Sequence, residues 1–175
     1  MKNTIIAIAL LFTFANTFGQ GKYANDIKKE VDKYDGTTRW STPLFGKGLK
    51  MMMKEPIKLI KTKDKDGNYI TYLSLLAYGL TVNVDGTGAT LLFEDGDRIE
   101  NPDVEIDVDV ETVATGVASY NYTAFFPIGD EELEKLATKN VDGFKLYIYE
   151  NALYGYGKNA KLKLQGWVQA IRDAK

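Results

Sequence analysis

The chain has no cysteine and no histidine. Together these absences remove a Ser-His-Asp triad, a cysteine nucleophile, and histidine ligands for zinc, copper or haem. An enzyme of this composition is left with carboxylate, lysine, tyrosine or serine chemistry, and only three serines are present, Ser41, Ser74 and Ser119. Without cysteine there is also no lipidated N-terminal cysteine and no disulfide, which an exported domain of this size can do without. An excess of one charge is missing too. The 22 basic and 24 acidic side chains nearly cancel, giving no electrostatic reason to expect nucleic acid as a partner.

Long apolar runs are scarce, and the clearest, Ile5 to Phe14, follows Lys2 and precedes the small residues Thr17 and Gly19. A basic start, an apolar core of about ten residues and small residues before a cut are the build of a secretory signal peptide. Such a core is roughly half of what spans a bilayer. Residues 1–19 are therefore expected to be a signal peptide cut before Gln20. Residues 20–175 are expected to form one globular domain, exported to the periplasm or beyond the cell and without stable membrane insertion. Loss of Lys2 leaves 21 basic against 24 acidic side chains.

Asp-Gly occurs at Asp35-Gly36, Asp66-Gly67, Asp85-Gly86, Asp95-Gly96 and Asp142-Gly143. This dipeptide tolerates the positive φ of tight hairpins, and its recurrence near β-branched and aromatic runs suggests an antiparallel meander. Clear strand-like runs are Pro56–Thr62, Tyr69–Gly79, Ala89–Asp95, Val104–Glu111, Ala118–Ile128 and Phe144–Glu150. Asp35-Gly36 can join a further pair, although Ile27, Val31 and Tyr34 also sit at helical spacing, so residues 24–34 read equally as helix or strand. Two helices are expected, at about 129–139 and about 160–174. The first has acids in its first turn and Leu133, Leu136 and Ala137 on one face. The second carries Ala160, Leu164, Trp167, Val168 and Ile171 as one stripe despite Gly166. The fold class is α+β: a mainly antiparallel sheet of six to eight strands with two helices.

Charge is segregated along the chain. Nine acids and one base, Arg98, lie between Glu94 and Glu111, whereas seven lysines and two acids lie between Lys47 and Lys65. Opposite charges on facing strands favour one register, so these blocks are expected to set strand order. In Val104–Glu111 strict alternation sends the valines and Ile106 to the core and leaves Glu105, Asp107, Asp109 and Glu111 on the other face. Those acids lie about 7 Å apart, too far for neighbours alone to hold one small cation. A solvated strand face is the expectation, with cation binding there left open. In "KTKDKDGNY", alignment of Gly67 with the glycine of an EF-hand loop puts Thr62 and Leu73 at the end positions, which fits a hairpin rather than calcium. Asn83–Thr90 reads as another turn. No metal and no cofactor is expected.

Tyrosines are the better lead to a site. Tyr120 and Tyr122 alternate on one run, Tyr147 and Tyr149 on another, and Tyr154 and Tyr156 follow. An exposed row of such rings can stack on sugars or anchor a protein. The stretches "LLFEDGDRIENP" and "YNYTAFFPIGDEELEKLATKNVDGFKLYIYEN", with the leader ending in "FGQ", resemble small exported proteins of Gram-negative bacteria that carry domains of unknown function. The resemblance implies an α+β envelope protein and brings no site residue. The leading expectation is a non-enzymatic exported domain that binds a protein or glycan. A carboxylate-based hydrolase such as a glycosidase, and a purely structural envelope component, stay open beside it.

Overall fold

The computed structural model describes residues 22–43, 57–79, 85–114, 117–152 and 158–175. Among the described residues nine strands run β1 (Lys28–Val31), β2 (Thr38–Ser41), β3 (Ile57–Lys63), β4 (Tyr69–Gly79), β5 (Thr87–Phe93), β6 (Arg98–Ala114), β7 (Val117–Ile128), β8 (Val141–Leu146) and β9 (Tyr149–Ala152). Helix α1 (Asp130–Thr138) lies between β7 and β8, and α2 (Lys158–Asp173) follows β9. A helical turn at 22–24 makes a third helical segment. All strand pairs are antiparallel, in the order β1-β2-β3-β4-β7-β6-β5-β8-β9. The α+β class and antiparallel sheet agree with the sequence reading.

The count of nine corrects the expected six to eight. The run Phe144–Glu150 alternates like one strand, yet Tyr147 adopts φ +51° and reverses the chain into β9. Tyr147 thus lies within the two-residue turn and Tyr149 opens β9, so the two do not share a strand. Of the two readings of residues 24–34 the strand holds at Lys28–Val31, which pairs with β2 across Asp35-Gly36, and the helical turn at 22–24 ends before it begins. Helix α1 matches its expected range within one residue at each end, and α2 begins two residues early.

Three of the five Asp-Gly pairs make the turns expected of them: Gly36, Gly67 and Gly96 all have positive φ and close β1–β2, β3–β4 and β5–β6. In the second turn Asp64 accepts hydrogen bonds from the backbone N–H of Asp66 and Asn68 at 2.9 and 2.8 Å, so the tempting calcium sequence is a hairpin whose carboxylate serves its own loop. Asp142-Gly143 instead lies within β8. Thr87 to Thr90, read as a turn, belongs to β5, where Gly88 at φ +96° sits in a register shift. The connection also departs from a plain meander. β4 pairs with β7 while β5, β6 and β7 follow as hairpins, a Greek-key order.

The core lies on one face of the sheet. Leu73, Leu75 and Ala77 of β4, Ile57 and Leu59 of β3, and Tyr122, Ala124 and Phe126 of β7 form its floor, while Leu133 and Leu136 of α1 and Leu164, Trp167, Val168 and Ile171 of α2 cover it. Period-two burial in the strands and the apolar stripes of the helices meet there. Glu132 accepts a hydrogen bond from the Gly129 N–H at 2.9 Å, satisfying a donor at the start of α1. The sheet curls so that β9 reaches back to β4 and β7. The Tyr149 ring stacks on Tyr122 with centroids 4.2 Å apart, and a Cβ at Gly79 would meet those rings at 2.6 and 2.9 Å. Glycine at 79 is what lets the curl close.

Candidate functional site: the outer face of the sheet

Both helices lie on the core face, so the other face of β3, β4, β7 and β6 has no helix or strand over it among the described residues. Alternation places Lys58, Ile60 and Thr62 of β3 there, then Ile70, Tyr72, Ser74, Leu76 and Tyr78 of β4, then Thr123 and Phe125 of β7, then Asp107 and Asp109 of β6. At the centre Tyr72 and Phe125 stack nearly parallel, with centroids 4.6 Å apart and planes at 11°. Phe125 keeps 45% and Ile70 44% of its surface in solvent. Aromatic rings held by a cross-strand stack offer large contact area with little motion to freeze, which is what an anchor at an interface needs.

The alternating acids of Val104–Glu111 lie on a strand, with Ile106 buried and Asp107 and Asp109 exposed. The apolar side is less complete than expected. Val104 and Val108 are half-buried and Val110 is 58% exposed. The acids face Thr123 and Asn121 of β7, not lysines. The expected facing of the two charge blocks is therefore corrected: β3 lies three places from β6 in the sheet, and Lys47, Lys50 and Lys54 lie outside the described residues. The acids of the β5–β6 turn find their cations on the helices instead. Lys139 Nζ lies 2.7 Å from Asp95 and 2.8 Å from Asp97, Lys135 Nζ is 3.3 Å from Asp97, and Lys161 pairs with Glu94. Hydrogen bonds from Lys139 and from the Arg98 N–H hold the Asp97 pKa down at about 2, and Lys135 and Lys139 are raised in turn by these carboxylates. Among the described residues no group of three or more acidic, histidine or cysteine side chains is arranged to hold a metal ion.

The tyrosine row is dispersed. Tyr122 is 2% exposed in the core, Tyr120 is half-buried against it, and Tyr149 lies half-buried on Tyr122 with 3.2 Å between their hydroxyl oxygens. These three are brought together, but as packing rather than as an open row. Tyr147 stands apart, 45% exposed over Gly86, beside a groove of about 440 Å³ that also takes in Thr87, Thr90, Glu100 and Lys145. Tyr154 and Tyr156 lie outside the described residues. Reading spacing alone missed Tyr72 and Phe125, although both sit at the outward parity of runs whose alternate residues are apolar. Parity against the core positions was the signal that could have found them.

Comparison with protein-family models, with curated proteins and with solved structures gives no match. Fold and surface define an antiparallel α+β domain with one sheet face under helices and the other carrying an aromatic centre. No helix among the described residues is long and apolar enough to cross a membrane.

Proposed function

We propose that the protein is an exported, non-enzymatic binding domain of the cell envelope or its surroundings, and that the outer face of the sheet docks a protein partner. The observation that carries this reading is the Tyr72–Phe125 stack, an aromatic pair at the centre of a sheet face over which no described element lies. Burying Phe125 alone would gain about 1 to 2 kcal/mol from the surface it now leaves in water. The leader-like residues 1–19 support export. The binding class is supported by how the acids are used: Asp32, Asp35 and Asp64 accept from turn amides, and Asp95, Asp97 and Glu94 are held by lysines, so none of these is poised as one of two converging catalytic carboxylates.

The test is site-specific photo-crosslinking in the native host from position 125, with position 162 on the exposed side of α2 as the control. Adducts from 125 and none from 162 are expected. Equal yields, or none from either, would overturn the reading.

A glycan is the second reading, favoured by Tyr147. A non-glycine residue at φ +51° is strained, and strain of this kind concentrates at sites of function. Its ring borders a groove with hydroxyl, carboxylate and ammonium groups suited to sugar hydroxyls. Tyr147→Asn keeps a residue that tolerates the left-handed region while removing the ring. On a glycan array, binding by the wild type and loss in this variant would establish the second reading, and a blank array would dismiss it.

A further inference from the structure

The outer face carries its own complement. Lys58 of β3 pairs with Ser74 of β4, and Ser74 with Phe125 of β7. Ile106 of β6 pairs with Ala124, so Glu105 comes alongside Phe125 and, by alternation, points to the same outer face. Lys58, Ser74, Phe125 and Glu105 thus form one rung across four consecutive strands, cation at one end, anion at the other, aromatic ring between. Arg39 of β2, which pairs with Glu30 of β1, lies four residues along the strands from this rung, and Asp107 and Asp109 of β6 lie two and four residues from it in the other direction, so the complement rests on Lys58 and Glu105 themselves.

From this antisymmetry we infer that the protein docked on the outer face is a second copy of the same chain, the two faces stacked about a two-fold axis parallel to the strands; the inference rests on the docking role proposed for this face. A rotation about that axis keeps each rung level and exchanges left with right. It lays β3 of one copy over β6 of the other, so Lys58 meets Glu105 of the second copy and the reverse pair forms by symmetry. The same turn lays β4 over β7, bringing the Tyr72–Phe125 stacks together at the centre. A two-fold axis across the strands would instead set β3 on β3 and β6 on β6, placing Lys58 near Lys58 and the acids near acids. Like charges so placed are repelled, and only the first arrangement is complementary. Packed sheets lie about 10 Å apart, a distance that Tyr, Phe and Lys side chains span from both sides.

The size of the patch sets the strength. Four strands at about 4.8 Å and nine residues at about 3.3 Å cover roughly 20 by 30 Å, or on the order of 600 Å² per copy. A standard interface takes about 800 Å² per partner, so the dimer is a weak one, concentration-dependent and loosened by salt.

Sedimentation equilibrium of the full chain purified from its host tests this. Expected is a monomer–dimer equilibrium that weakens at least tenfold with Phe125→Ser and with either Lys58→Glu or Glu105→Lys, each variant retaining the wild-type circular dichroism spectrum and melting cooperatively. The double reversal, Lys58→Glu with Glu105→Lys, should recover most of the lost association. Because recovery by combining two disruptive changes cannot come from unfolding, it separates the interface from mere stability. A wild type that stays monomeric up to about 1 mM, where even a millimolar Kd would show, overturns the inference, as does a dimer indifferent to these substitutions. A monomeric wild type whose position-125 adducts contain other proteins overturns the second copy while leaving the docking face in place. Absence of adducts as well would remove both.

Discussion

Lys61, in the middle of β3, donates a hydrogen bond from its ammonium to the carbonyl oxygen of Arg172 at 2.8 Å, at the C-terminal end of α2. A second bond of 2.8 Å goes to the carbonyl of Ala174, and the ammonium lies 4.7 Å from the Tyr69 ring centroid. A lysine at a core-facing strand position looks like a fault in the alternation. Here it meets the two needs of a helix end, carbonyls without intrahelical partners and the negative end of the dipole. Burial pushes its pKa below 10.5, and the carbonyls are what make a charged group tolerable there.

Lys61→Met keeps the apolar stem and removes the donors. The expected loss is about 1 to 3 kcal/mol, because two carbonyls at a partly buried helix end are left without their charged partner. Urea denaturation measures it, and a midpoint equal to the wild type would show the cap to be dispensable.

Gly166 raises the opposite kind of expectation. Glycine inside a helix costs about 1 kcal/mol relative to alanine, so Gly166→Ala should stabilise an isolated α2. In the folded protein the Tyr23 ring lies against Gly166 where a Cβ would stand, and the Trp167 indole N–H donates to Asp26 at 2.8 Å, fixing the same N-terminal segment. Gly166→Ala should therefore destabilise. In a Tyr23→Ala background the same substitution should become stabilising by about 1 kcal/mol. A sign that does not reverse would show that Tyr23 is not what selects glycine.

The ion-pair cluster fixes a pH window. Asp97 ordinarily titrates at 3.8 and is held at about 2 in the folded chain, so the folded state binds its proton less readily than the unfolded state. Its contribution is present above 3.8 and is lost as pH falls through the interval down to about 2. Asp95 and Glu94 are lowered in the same sense, by Lys139 and Lys161. Lys135 and Lys139, raised above 10.5, contribute below that value and lose their contribution as pH rises beyond it. Thermal melts between about pH 5 and about pH 2 should fall less steeply for Asp97→Asn than for the wild type. Parallel curves would mean that the pairing carries no net stability.

Which parts of this could be read from the sequence follows from how local each cause is. The turns at Gly36, Gly67 and Gly96 and the two amphipathic helices depend on residues within a few positions, and the sequence displays them. The break at Tyr147 does not, because a tyrosine gives no sign that it will adopt φ +51° against Gly86. The pairing of β4 with β7 is a matter of long-range topology, and so is the service of Lys135 and Lys139 to a turn about forty residues earlier. Tyr122 and Phe125 make the same point for the candidate site. Both are aromatic residues on one strand, but one residue of parity sends the first into the core and the second into water.

The alternating stretch of β6 lets parity be tested directly. Ile106 is 7% exposed and lies beside the fully buried Ala124, whereas Asp107 stands on the outer face next to Thr123. Ile106→Asp buries a carboxylate among apolar neighbours and removes a core side chain, so the expected loss is several kcal/mol, enough to unfold a marginal domain. Asp107→Asn changes charge but not shape at a position open to solvent, and should move stability by no more than about 0.5 kcal/mol. Val110→Asp separates this from a general aversion of the strand to extra acid. Val110 shares the parity of Ile106 but is 58% exposed, so the same substitution should cost far less there. Denaturant midpoints in the order Asp107→Asn close to the wild type, Val110→Asp slightly lower and Ile106→Asp far lower would tie the penalty to burial in the core. Equal losses at 106 and 110 would show that the charge load of the strand, not the core face, governs its stability.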